Sequence, residues 1–139
     1  MSVLLGSAKC QIGVGFAWHL PFLPPFSITP ESAVSLPSIL FERAAVLYNI
    51  GAIYGSMAAS ENRSEGEGIK RALSYLQTAA GTFEYLLKEV LPLLTSEIST
   101  LGGAGYDMTE SFAQTMRDFC LAEAQECFWQ KAVLGEFIY

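Results

Sequence analysis

Apolar residues recur first at every second position and then at helical spacing, and the change of period divides the chain. Over residues 10–18, CQIGVGFAW, Ile12, Val14, Phe16 and Trp18 fall on one face, with Gln11, Gly13, Gly15 and Ala17 on the other. A period of two predicts a strand in a small sheet. Pro21, Pro24 and Pro25 follow, and their missing amide donors end it. Thr29 with Pro30 offers a helix start, but Pro37 interrupts it, so the first long helix is expected over about 37–60.

From Ser38 to Ala59 apolar positions cover nearly the whole circumference, which places this helix between other elements rather than on the surface. A glycine inside a helix costs up to about 1 kcal/mol against alanine, so Gly51 and Gly55 are expected to mark close approach of a neighbour. The polar stretch SENRSEGEG reads as a turn, and Ser64 with Glu67 three residues on forms a capping box that opens a second helix over about 65–91. Ile69, Ala72, Leu73, Leu76, Ala79, Ala80, Phe83, Leu86, Leu87 and Val90 follow its rhythm. Lys70, Arg71, Gln77, Glu84 and Lys88 take the wet side, and Pro92 is expected to end the helix.

Asp107 and Glu110 repeat the capping-box pattern before a last helix over about 108–134. Projected at about 100° per residue, Phe112, Met116, Phe119, Cys127 and Leu134 form its main stripe, with Glu123 and Gln130 inside it. Leu121 and Phe128 form a second, narrower stripe. A helix with two apolar stripes either packs on two sides or keeps one for a partner.

Composition sharpens the picture. The chain has 139 residues, 51% of them hydrophobic and only 16% charged, against a usual charged share of about a quarter. Such a chain is either a membrane protein or a piece of a larger soluble domain. The run from Ala44 to Ala59, broken by Asn49, Gly51, Gly55 and Ser56, falls short of the roughly 20 apolar residues a span needs, which favours the second. The start, MSVLLGSAKC, lacks the positive region of a signal peptide, so a reducing, cytoplasmic setting is expected. There Cys10, Cys120 and Cys127 read as buried thiols, and Asn62-Arg63-Ser64 as an unused glycosylation acceptor. A net charge of −6 with eight basic residues argues against nucleic acid as the main partner.

No catalytic, cofactor or metal constellation is expected. His19 stands alone beside a strand, so a nucleophilic triad has nothing to assemble around. Gly13 and Gly15 lack the third glycine and following helix of a dinucleotide site. Glu65 and Glu67 sit at a helix start, where negative charge favours the dipole. Glu123, in an apolar stripe, is a candidate for a raised pKa, but a buried ion pair or a carboxylate bonded to a neighbouring helix is the commoner arrangement. A metal- or cofactor-dependent enzyme is the rival from another class.

Three segments in this order, FERAAVLYNIGAIYGSMAA, EGIKRALSYLQTAAGTFEYL and LAEAQECFWQKA, after FAW, resemble the BRO-type domain family, whose members include ALIX, HD-PTP, rhophilin and PalA. The resemblance runs from about Val14 to Leu134. It implies a mainly α fold, with a tetratricopeptide-like antiparallel helical core and a short N-terminal β element. Because family domains are longer, it also implies that residues 1–139 form a partial domain, its central part. For function it implies a non-enzymatic scaffold of endosomal sorting and multivesicular bodies, cytoplasmic and peripheral to endosomes, whose apolar patch binds the C-terminal amphipathic helix of an ESCRT-III subunit. A signalling scaffold of the rhophilin or PalA type is the alternative.

Alignment on AQECF puts Phe128 in that patch, and Leu121, which shares its narrower stripe in the projection, is the candidate beside it; two further patch residues would fall beyond Tyr139. An acidic family residue aligns with Gly66, leaving Glu65 and Glu67 as neighbouring substitutes. Lys70 and Lys131 match basic positions near the surface. Packing of Phe128 against another helix is the competing reading of the same stripe.

Overall fold

The computed structural model describes residues 13–19, 33–98 and 108–135. A short strand β1, Phe16–His19, pairs antiparallel with β2, Ala33–Leu36, with Phe16 opposite Leu36 and Trp18 opposite Val34. The alternation expected over residues 10–18 survives in this shorter strand. Trp18 is buried and Phe16 half-buried, while Val14, ahead of the pairing, is exposed. Residues 10–12, including Ile12, and the proline-rich stretch after His19 lie outside the described residues.

Helix α1, Ile39–Ser60, begins directly after Ser38, whose hydroxyl accepts the Phe41 amide at 3.4 Å. Helix α2, Gly66–Tyr85, starts differently from the expected capping box. Its N-cap is Glu65 and no side chain caps it; the Ser64 amide, which a box would leave for Glu67, is donated to Asn62 Oδ1 at 3.1 Å. The Glu67 carboxylate turns instead to Lys70 at 2.6 Å.

Pro92 does not end this helical stretch. A π-helical turn, Leu86–Val90, leads straight into α3, Leu91–Ile98, and the Leu91 amide bonds the Leu86 carbonyl. That shift of register lies just ahead of the proline, so an unbroken α ladder never calls on the amide Pro92 lacks. Helix α4, Glu110–Val133, is capped by Thr109, whose hydroxyl accepts the Phe112 amide at 3.2 Å. Glu110 is therefore the first helical residue and not the third, as a box with Asp107 would require; Asp107 itself lies outside the described residues.

Helix α2 is central and antiparallel to both long neighbours. Tyr85 at its end meets Arg43 near the start of α1, while Ile69 near its start clusters with Ala58 near the end of α1. On the other side, Glu84 accepts from Arg117 of α4 at 2.7 Å. Tyr48 anchors the larger core: Trp18 and Phe83 meet its ring edge-on at 5.0 and 5.8 Å, and Phe112 stacks on it at 6.1 Å. A smaller cluster of Ala58, Ile69, Ala72, Leu76, Ala124 and Cys127 fills the other end of the layer.

The expectation that α1 lies between other elements holds on one side only. Phe41, Ala44, Ala45, Tyr48 and Gly51 are buried, but Val46, Ile50, Ile53 and Met57 on the opposite face are exposed. Of the two glycines, Gly51 is tightly packed: a Cβ there would lie 2.8 Å from the Phe83 ring. Gly55 is not, having nothing within 4 Å of such an atom, so close approach explains one and not the other. No helix among the described residues is long and apolar enough to cross a membrane.

Candidate partner-binding surface

The buried line of α4 consists of small residues: Ala113, Cys120, Ala124 and Cys127. It corrects the expected main stripe. Cys127 is buried and Phe112 and Met116 are packed against the core, but Phe119 is 59% exposed and Leu134 is also exposed. The reason is distance. Ala72 clusters with Ala124 and Cys127, and Ala79 and Ala80 share the larger core with Ala113 and Cys120, so α2 and α4 meet through small side chains. Bulky residues are pushed to the flanks.

Phe128 follows the buried Cys127 by one residue, a rotation of about 100°, which carries it to the border of the packed face. It is 40% exposed, and Leu121, seven residues earlier on the same flank, is 46% exposed. Seven residues span about 10.5 Å along a helix, close to two turns, so the two side chains stand in a row. The expected second stripe is therefore present, and its residues are not consumed by packing among the described residues.

The charged candidates gather at the adjoining corner, where the start of α2 meets the end of α4. Glu67 and Lys70 form an exposed i,i+3 ion pair at 2.6 Å. The hydrogen bond from Lys70 and then its charge hold the Glu67 carboxyl below the usual carboxylate range, with smaller contributions from Arg71 and Lys131. Lys131 is thus close enough for its field to be felt at Glu67, and it lies three residues beyond Phe128 on α4. Gly66 opens α2, and the adjacent Glu65 carboxylate accepts from Asn62 Nδ2 at 3.3 Å. The structure thus pairs Glu67 with Lys70 at the start of α2, while Lys131, Phe128 and Leu121 lie on α4, Lys131 one turn beyond Phe128 and Leu121 two turns before it.

Two features of this corner escape a sequence reading. Gly68 is buried against the preceding turn, where a Cβ would lie 1.9 Å from the Asn62 carbonyl oxygen. A glycine at the third position of a helix carries no pattern that announces such a contact. Arg63, taken as part of a polar turn, reaches across to α4, where both its terminal nitrogens approach Glu123 Oε2, at 3.3 and 3.4 Å. Of the readings open for Glu123, the structure shows an ion pair, partly buried. Trp129 also stands out at 66% exposed, one residue past Phe128 and turned away from its flank. His19 ends β1 as an exposed residue. Among the described residues no group of three or more His, Cys, Asp and Glu side chains is placed to hold a metal ion.

A family model described as BRO1-like domain matches residues 5–136. The chain is 37% identical over 128 residues to the pH-response regulator protein palA/RIM20 of Aspergillus oryzae, covering 92% of this chain and 14% of that protein. It is 42% identical over 98 residues to the ALG-2 interacting protein X of Dictyostelium discoideum, covering 70% of this chain and 12% of that protein. To Rhophilin-2-B of Xenopus laevis it is 33% identical over 125 residues, 90% of this chain and 16% of that protein. The chain therefore spans only a small part of the length of each relative.

Proposed function

The chain belongs to the BRO1-like domain family, and from that premise we propose that it serves as a non-enzymatic scaffold in endosomal sorting, docking the C-terminal amphipathic helix of an ESCRT-III subunit. The docking surface is the flank of α4 that carries Leu121 and Phe128, bordered by Glu67, Lys70 and Lys131. One observation carries the reading: two large apolar side chains stand exposed in a row, two helical turns apart, beside a corner of mixed charge. An amphipathic helix laid along this flank presents apolar residues at matching i, i+3, i+4 and i+7 spacing.

Magnitudes require the surface to act as a unit. Burying one aromatic contributes about 1.5–3 kcal/mol, whereas micromolar affinity needs about 8 kcal/mol. Phe128 is the anchor, Leu121 extends the apolar row, and the two lysines attract acidic positions on the partner. Recruitment of the chain to the cytoplasmic face of endosomes then follows through the partner. Titration of a synthetic ESCRT-III C-terminal helix against the chain and its Phe128→Asp variant tests the assignment.

A second reading places the same surface in ambient-pH signalling. It is favoured by the 37% and 35% identity, over more than nine-tenths of the chain, to two proteins named as pH-response regulators. Replacing the matching segment of the Aspergillus oryzae protein with this chain and scoring growth at alkaline pH tests it.

A further inference from the structure

We infer that Arg63, in the turn between α1 and α2, is a positioning residue for the docking surface, holding the start of α2 against α4 so that the charged corner and Phe128 form one surface. The inference rests on the docking role proposed for Phe128 and names what aligns that site.

The turn is fixed from within. Asn62 Oδ1 accepts the Ser64 amide at 3.1 Å and its Nδ2 donates to Glu65 at 3.3 Å. Gly68 brings the first turn of α2 so close to the Asn62 carbonyl that no other residue fits without displacement. Turn and helix start therefore move as one body, and Glu67 and Lys70 move with it.

From that body Arg63 crosses to α4. Its guanidinium approaches one oxygen of Glu123 through both terminal nitrogens, and the side chains of Arg63 and Glu123 are 21% and 30% exposed. Its charge is also felt at the Cys127 thiol, one turn further along α4 and directly before Phe128. The apolar cluster beneath consists largely of small side chains, Ala58, Ala72, Ala124 and Cys127, with Ile69 and Leu76 the larger members. The Glu84–Arg117 pair spans α2 and α4 at the far end of the layer; at this end, where the packed side chains are mostly small, the Arg63–Glu123 pair does so. Neither Arg63 nor Glu123 belongs to the flank that meets the partner.

The test compares the 139-residue chain with Arg63→Ala, Glu123→Ala and the exchanged pair Arg63→Glu/Glu123→Arg. Amide hydrogen exchange is followed over 66–70 and 127–133, with 79–86 as internal control, and a synthetic ESCRT-III C-terminal helix is titrated into each. Both single variants are expected to speed exchange in the first two segments and not in the third, and to weaken peptide binding by about three- to fivefold, the upper end of what an exposed ion pair contributes. The exchanged pair restores both. Unchanged exchange at 66–70 and 127–133, or faster exchange everywhere without rescue, overturns the positioning role. If the unaltered chain fails to bind the peptide, the docking reading falls, while the exchange pattern still decides whether Arg63 aligns the two helices.

Discussion

Gly51 and Phe83 touch as closely as helix packing allows: a Cβ on Gly51 would come within 2.8 Å of two carbons of the Phe83 ring. The ring is fully buried and meets Tyr48 edge-on, so it has little room to retreat. Gly51→Ala should therefore destabilise the chain by about 1–3 kcal/mol from overpacking, despite alanine's helical advantage of about 1 kcal/mol. Gly55→Ala, facing open space, should raise stability by up to that same amount. Urea unfolding of the two variants checks the contrast, and equal effects would show that the packing distinction is wrong.

That contrast also marks how far the sequence could be read. The long helices are legible because apolar residues persist over about twenty positions, all round the first helix and at helical spacing in the others, and a start near residue 37 follows from Pro37. Identical residues four positions apart, however, carry no information about what lies opposite them. Gly51 and Gly55 look alike until α2 is in place.

The same limit explains the misread stripe of α4. Projection weights residues by hydrophobicity, so Phe119 and Leu134 dominated it, whereas the true contact with α2 uses Ala113, Cys120, Ala124 and Cys127. Close approach selects small side chains, which project weakly. Leu121 and Phe128 were readable because a pair seven residues apart and off the main stripe stands out in any projection. Arg63 and Gly68 were not, since both act through contacts with backbone or side chains that only the folded turn supplies.

Gly68 offers the sharper steric test. A Cβ there would meet backbone, the Asn62 carbonyl, at 1.9 Å, and backbone cannot rotate away as a side chain can. Gly68→Ala should cost more than Gly51→Ala, about 3 kcal/mol or above. Thermal unfolding of both variants side by side decides the order.

Phe83→Ala should cost about 3–5 kcal/mol, because it empties a fully buried aromatic site shared by α1 and α2. That is a large part of the stability of an ordinary domain, about 5–15 kcal/mol. Loss of cooperative unfolding by circular dichroism is the expected sign; near-wild-type stability would contradict the core described above.

The buried thiols predict a pH dependence. Burial, reinforced by the nearby Glu123 carboxylate, pushes the Cys120 thiol up, and burial also raises Cys127 although Arg63 partly opposes it. A group whose pKa is raised by folding adds stability that is fully present below its unfolded value, about 8.5 for cysteine, and is lost as pH rises through the folded value. The chain should therefore lose stability between pH 8 and the folded thiol pKa values more steeply than a Cys120→Ala/Cys127→Ala variant. Urea midpoints taken across that range measure the difference in slope, and parallel curves would contradict it.

The central claim is that Phe128 is a docking residue and not a packing residue. Fluorescence anisotropy of a labelled ESCRT-III C-terminal helix, titrated with the chain and with Phe128→Asp, tests it most directly, alongside the thermal midpoint of each. The account predicts binding by the unaltered chain, a loss of at least tenfold in the variant, corresponding to about 1.4 kcal/mol, and a thermal midpoint that barely moves. Binding unchanged by the substitution, or a variant that no longer folds, would contradict it.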